Sequence, residues 1–118
     1  MKERGLVERL CAYNKAIGDP MRMKMIKVLG SHEPYTLNVS QIAEMLGLSQ
    51  PAATKHLKIM ENVGLFSRER KGSSVYYMLE PDALDEYRRL LDYAFEHSST
   101  PCPHGYDCRR CPVADTCT

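Results

Sequence analysis

Between Asn38 and Gly64 the chain spells two short helices separated by three residues, and this spacing most narrowly limits what it folds into. Asn38 and Gln41 stand three apart, the spacing of a capping box in which each side chain bonds the other residue's backbone N–H. They predict a helix running to Leu46 that buries Ile42, Ala43 and Met45 or Leu46. Gly47 supplies a left-handed turn that other residues resist. Ser49 then caps a further helix over Gln50 to Asn62, with Ala53, Leu57 and Met60 inward and Gly64 beyond its end. Two helices joined this closely through a glycine carry a helix-turn-helix signature.

The flanks fit around that pair. Leu6, Leu10, Tyr13 and Ile17 form one stripe of a helix from about Arg4 to Ile17, which Gly18 ends. Asp19 caps a second helix with Pro20 at its first position, burying Met21, Met25 or Ile26, Val28 and Leu29 before Gly30. Ser31 to Leu37, with Pro34 inside, reads as a loop. After Gly64 the periodicity falls from about 3.6 to 2: Leu65 to Arg70, a Lys71-Gly72-Ser73 turn, then Ser74 to Glu80 with Val75, Tyr77 and Leu79 on one face. Pro81 and Asp82 open a last helix to about His97, with Leu84, Tyr87, Leu91 and Ala94 on one face and Leu90 beside them. The expected fold is mainly α (α+β): a winged helix-turn-helix in the order α-α-α-α-β-β-α over residues 1–97, followed by a cysteine-rich tail at 98–118.

A chain of 118 residues has room for one core. No apolar run approaches the roughly 18 to 20 residues of a membrane span, and the N-terminus leads into an amphipathic pattern, so a cytoplasmic chain without membrane contact is expected. The net charge of +1 neither favours nor excludes nucleic acid, and distribution must decide. The outer side of the Ser49-capped helix offers Gln50, Thr54, Lys55 and Lys58, with His56 toward its edge. These are hydrogen-bonding groups for base edges and cations for phosphates. The hairpin adds Arg68, Arg70 and Lys71, so Gln50 to Ser73 carries five Lys/Arg against Glu61 and Glu69. Charge runs also arise as plain solvated faces, and His56 has packing against the wing or capping a backbone group as its competing roles. An enzyme lacks support: there is no phosphate-binding glycine loop, and a metal held by four cysteines keeps no open position for substrate.

Cys11 stands alone and is expected as a small buried residue of the first helix. The other four thiols form the pattern Cys102-x5-Cys108-x2-Cys111-x5-Cys117. Four soft thiolates suit a tetrahedral zinc site or an iron–sulfur cluster, and the ligand set does not separate the two. Pro112 after Cys111 adds to the cluster reading, Arg109 and Arg110 offset thiolate charge, and His104 offers a substitute ligand. The competing reading is a flexible tail with reducible thiols or incidental disulfides.

The segments GDPMRMKMIKVL, VSQIAEMLGLSQPAATKHLKIMENVGLF and RERKGSSVYYML resemble the ArsR/SmtB (arsenical-resistance-repressor) family over about Leu6 to Tyr93. The resemblance implies a repressor that dimerises through its first and last helices and sits on a pseudo-palindromic operator in double-stranded DNA until an effector releases it. By position it puts Ser49, Gln50, Thr54, Lys55 and His56 on DNA, and Arg68, Arg70 and Lys71 in the wing. Many metal-sensing members carry paired cysteines in the helix before the reading helix, where this chain has Val39, Ser40, Gln41, Ile42 and Ala43. Asp85, Asp92, Glu96 and His97 on the last helix have no convincing ligand spacing either. Sensing of a metal, metalloid or redox signal therefore falls to the tail. The alternative is a protein-interaction or redox module whose zinc or iron–sulfur tail is purely structural.

Overall fold

The computed structural model of the protein describes residues 5–114. Its elements are α1 (Leu6–Ile17), α2 (Pro20–Gly30), β1 (Leu37–Asn38), α3 (Val39–Leu46), α4 (Gln50–Asn62), β2 (Phe66–Lys71), β3 (Ser74–Leu79) and α5 (Pro81–Glu96). The helix starts follow the caps. Asp19 accepts from the Met21 and Arg22 N–H groups at 2.8 and 3.3 Å. Asn38 and Gln41 form both halves of the capping box at 2.9 Å, and Ser49 accepts from the Ala52 N–H at 3.2 Å. Each bond satisfies a donor that the first helical turn leaves without a partner. Gly47 turns α3 into α4 at φ +66°, which costs a residue with a Cβ strain.

One element went unseen in the sequence. Leu37, expected to end a loop, and Asn38, expected only as a helix cap, form β1 and pair antiparallel with β3, opposite Tyr77 and Tyr76. A two-residue strand is too short for periodicity to register, and it exists because burying Leu37 brings this backbone to the open edge of β3. The sheet order is β1-β3-β2. The hairpin turn is also one residue tighter than expected: Lys71 pairs with Ser74, leaving Gly72 and Ser73 as a two-residue loop with Gly72 at φ +63°.

The core is a single cluster. Met25, Ile42, Ala53, Leu57, Met60 and Leu65 are fully inaccessible, with Phe66 and Tyr77 beside them. Met45, one of two inward candidates in α3, is instead about half exposed at 51%. On α5 only Leu90 is buried, while Leu84, Tyr87 and Leu91 are half-buried and Phe95 is exposed. The face that the sequence marks as apolar is therefore largely uncovered within one chain.

Polar bonds tie α5 to α1. The Tyr13 hydroxyl donates to Glu86 at 2.7 Å, Arg9 pairs with the same carboxylate at 3.2 Å, and the Tyr87 hydroxyl donates to Asn14 at 2.7 Å. Burial and the neighbouring Glu86 carboxylate push the Tyr13 phenol up to about 12 from 10.0. The folded chain thus holds this proton more tightly than the unfolded chain does, so the stabilisation is complete below pH 10.0 and fades as pH rises toward about 12. Chemical denaturation across that window should show stability falling more steeply in the native chain than in Tyr13→Phe. Parallel curves would contradict the assignment.

Candidate nucleic-acid interface and cysteine cavity

The buried side of α4 (Ala53, Leu57, Met60) sets which residues face out. Gln50, Lys55 and Lys58 are exposed and Thr54 and His56 half-buried, while Ser49 stands exposed at the cap. Lys55 and Lys58 form no ion pair among the described residues. Their charge is free to attract an anion. Gln50 donates to the Ser40 hydroxyl, which links the start of α4 to α3.

The wing cations are exposed but already engaged. Arg68 pairs with Glu61 of α4 at 3.3 Å, and Tyr77 donates to the same carboxylate at 3.4 Å, so the base of the hairpin is tied to the end of α4. Arg70 Nε donates to the Gly72 carbonyl at 3.2 Å. Lys71 Nζ donates to the Tyr35 carbonyl at 3.0 Å and lies 4.9 Å from the centre of the Tyr76 ring. The contacts to Glu61 tie the hairpin to α4, and those of Arg70 and Lys71 fix its tip on itself and on the loop at Tyr35, while the head groups stay in solvent.

His56 has a partner on α2 that no sequence pattern indicates, because the two residues lie 34 apart. Arg22 Nη1 approaches His56 Nδ1 at 2.9 Å, and Arg22 Nε donates to the Ala16 carbonyl. A guanidinium only donates, so Nδ1 must accept and the ring carries its proton on Nε2. The described contact of His56 is thus to Arg22 of α2 through one nitrogen, not to the wing or to a backbone group, and the other nitrogen remains a donor. Burial opposes ionisation of Asp19, but the Met21 and Arg22 N–H groups and the nearby charge of Arg22 outweigh it and hold that carboxyl below its ordinary value.

The tail folds back against the end of α5. Cys102, Cys108 and Cys111 line one cavity of about 500 Å³ together with His97, His104, Tyr93 and Tyr106. Cys117 lies outside the described residues. Among the described residues no three ligand side chains are gathered closely enough to hold an ion. The donor set itself, three thiols and two imidazoles around one space, has the softness that zinc-like ions and iron–sulfur clusters select. Cys11, expected buried, is exposed on α1 in a groove with Glu8, Lys15 and Arg22. The stripe of Leu6, Leu10, Tyr13 and Ile17 takes the core side of α1, and Cys11 falls a third of a turn away from it.

Comparison with known proteins agrees with this architecture. Residues 19–67 match the family described as "Bacterial regulatory protein, arsR family". An uncharacterised helix-turn-helix-type transcriptional regulator of Methanocaldococcus jannaschii is 29% identical over 72% of this chain and 93% of its own length. The transcriptional repressor SdpR of Bacillus subtilis is 33% identical over 61% of this chain and 77% of its own. A CadC homolog of Staphylococcus aureus, a cadmium resistance transcriptional regulatory protein, is 30% identical over 70% of this chain and 64% of its own. Among solved structures, an ArsR family transcriptional regulator superposes with a TM-score of 0.68 at 20% identity, covering 86% of this chain and all 100% of that one. A homodimeric winged helix-turn-helix DNA-binding domain from Mycobacterium bovis superposes with 0.61 at 23% identity, covering 84% and 90%. No described helix is long and apolar enough to cross a membrane.

His97 has the opposite arrangement to His56: its Nδ1 lies 2.8 Å from the Tyr93 carbonyl, which only accepts, so Nδ1 carries the proton. Ring-nitrogen NMR of the neutral histidines should therefore find His56 protonated on Nε2 and His97 on Nδ1. The reverse tautomer at either residue would contradict the corresponding bond.

Proposed function

From the premise that the chain belongs to the arsR family of bacterial regulatory proteins, a family of transcriptional regulators, we propose that it is a homodimeric repressor of transcription that binds double-stranded DNA. The observation that carries this reading is the outer face of α4, where Lys55 and Lys58 are exposed without an acidic partner among the described residues, beside Thr54 and His56. Gln50 and Thr54 supply hydrogen-bonding groups for base edges in the major groove, and Ser49, Lys55, His56 and Lys58 supply phosphate contacts. Arg68, Arg70 and Lys71 follow the backbone from the wing.

Dimerisation follows from α5. Its half-covered apolar face and the exposed Phe95, 71% accessible, need a second surface, and α1 packs alongside to widen it. Two copies related by a two-fold axis place their α4 helices in successive major grooves about 34 Å apart, which matches a pseudo-palindromic operator.

Residues 1–97 form the reading and dimerising unit, and residues 98–118 serve as the effector element, a cytoplasmic sensor of a soft metal or of redox state. Metal-resistance regulation in the Staphylococcus aureus relative supports a metal effector. Cys102, Cys108 and Cys111, with a fourth ligand for which Cys117 is the candidate from sequence, would hold zinc or an iron–sulfur cluster, whose bound charge would order the tail against α5. The tail affects DNA binding only if its ordered and loose forms differ in affinity for the operator.

Operator binding measured across salt concentrations tests the interface. Removal of one phosphate contact, by Lys55→Ala or Lys58→Ala, should lower the log–log salt slope by about 0.9 and weaken binding at low salt. Unchanged slope and affinity in both variants would overturn the reading. A chelator or oxidant should shift operator affinity of the native chain, and equal affinity in each state would leave the tail a structural staple.

A further inference from the structure

We infer that His97 is the fourth protein ligand of a tetrahedral divalent-metal site completed by Cys102, Cys108 and Cys111. This rests on the metal reading of the tail.

Four features converge on His97. It ends α5 as its C-cap, and it lines the same cavity as the three described thiols. Its Nδ1 donates to the Tyr93 carbonyl at 2.8 Å, so in the neutral ring Nε2 carries the free lone pair. Metal-binding histidines use this arrangement: the second nitrogen bonds a backbone carbonyl, and the bond fixes both tautomer and ring orientation. The ring also lies against Tyr93, with centroids 4.0 Å apart. A ligand already fixed by its own helix loses little freedom when the ion arrives.

His104 is the rival imidazole in the cavity. It is exposed, and its ring makes no hydrogen bond among the described residues. Its backbone N–H instead donates to Cys102 Sγ at 3.3 Å. His104 therefore serves the site through its main chain. The described ligands are not yet gathered around a point, so closing them to metal–sulfur distances of about 2.3 Å draws the 102–111 segment onto the end of α5. Three thiolates and one imidazole suit a zinc-class ion, whereas an iron–sulfur cluster takes four thiolates in most proteins.

Cobalt(II) and zinc binding to the full, reduced chain decides the matter, with His97→Asn, His104→Asn and Cys117→Ser compared under anaerobic conditions. The native chain, His104→Asn and Cys117→Ser should give the same tetrahedral cobalt spectrum. His97→Asn should change that spectrum and lower zinc affinity by more than about 100-fold, since loss of an outer-shell partner alone costs 10- to 100-fold. Zinc should also move the His97 Nε2 resonance while Nδ1 stays protonated. A native spectrum in His97→Asn, or loss of the spectrum in His104→Asn or Cys117→Ser, overturns the assignment. A native chain that binds neither ion removes the metal reading itself.

Discussion

Everything functional in this chain depends on the burial of one side of α4. Ala53, Leu57 and Met60 are inaccessible to solvent and pack in one cluster with Met25 of α2, Ile42 of α3 and Phe66 of β2. Three elements grip the same stripe, so α4 cannot rotate without exposing it, and burying each large side chain is worth about 1.5 to 3 kcal/mol. The polar face is then fixed by subtraction. Lys55 and Lys58 face outward because their neighbours at helical spacing face in.

Around that packed stripe the polar contacts act as positioning devices. Glu61 joins the end of α4 to Arg68 and Tyr77 of the hairpin, and Gln50 joins its start to Ser40 of α3. Arg22 joins its middle to α2 through His56. The one ion pair among them, Arg68–Glu61, contributes little stability, at most about 1 kcal/mol. Their effect is angular: they fix the wing, α3 and α2 against α4.

The caps and the turn were legible from sequence because they are local chemistry. Asn38 with Gln41, Ser49, Asp19 and Gly47 act on backbone groups within four residues, and each helix begins or ends where they stand. What escaped depends on partners distant in sequence. β1 forms only because β3 offers an edge, Arg22 matters only because His56 lies across from it, and Cys11 is exposed because a neighbouring stripe claims the core side of α1. The tail is intermediate. Its cysteine spacing pointed to a soft-ligand site as an expectation, but that His97 shares a cavity with Cys102, Cys108 and Cys111 depends on the chain folding back over the end of α5.

The most direct test of the account is a residue-by-residue NMR map of the full chain titrated with a DNA duplex selected from random sequence. The account predicts that the largest backbone shifts fall on residues 49–58 and 68–73, the outer face of α4 and the tip of the wing. Shifts concentrated on α1, α5 or the tail, or no saturable change with any selected duplex, would contradict it.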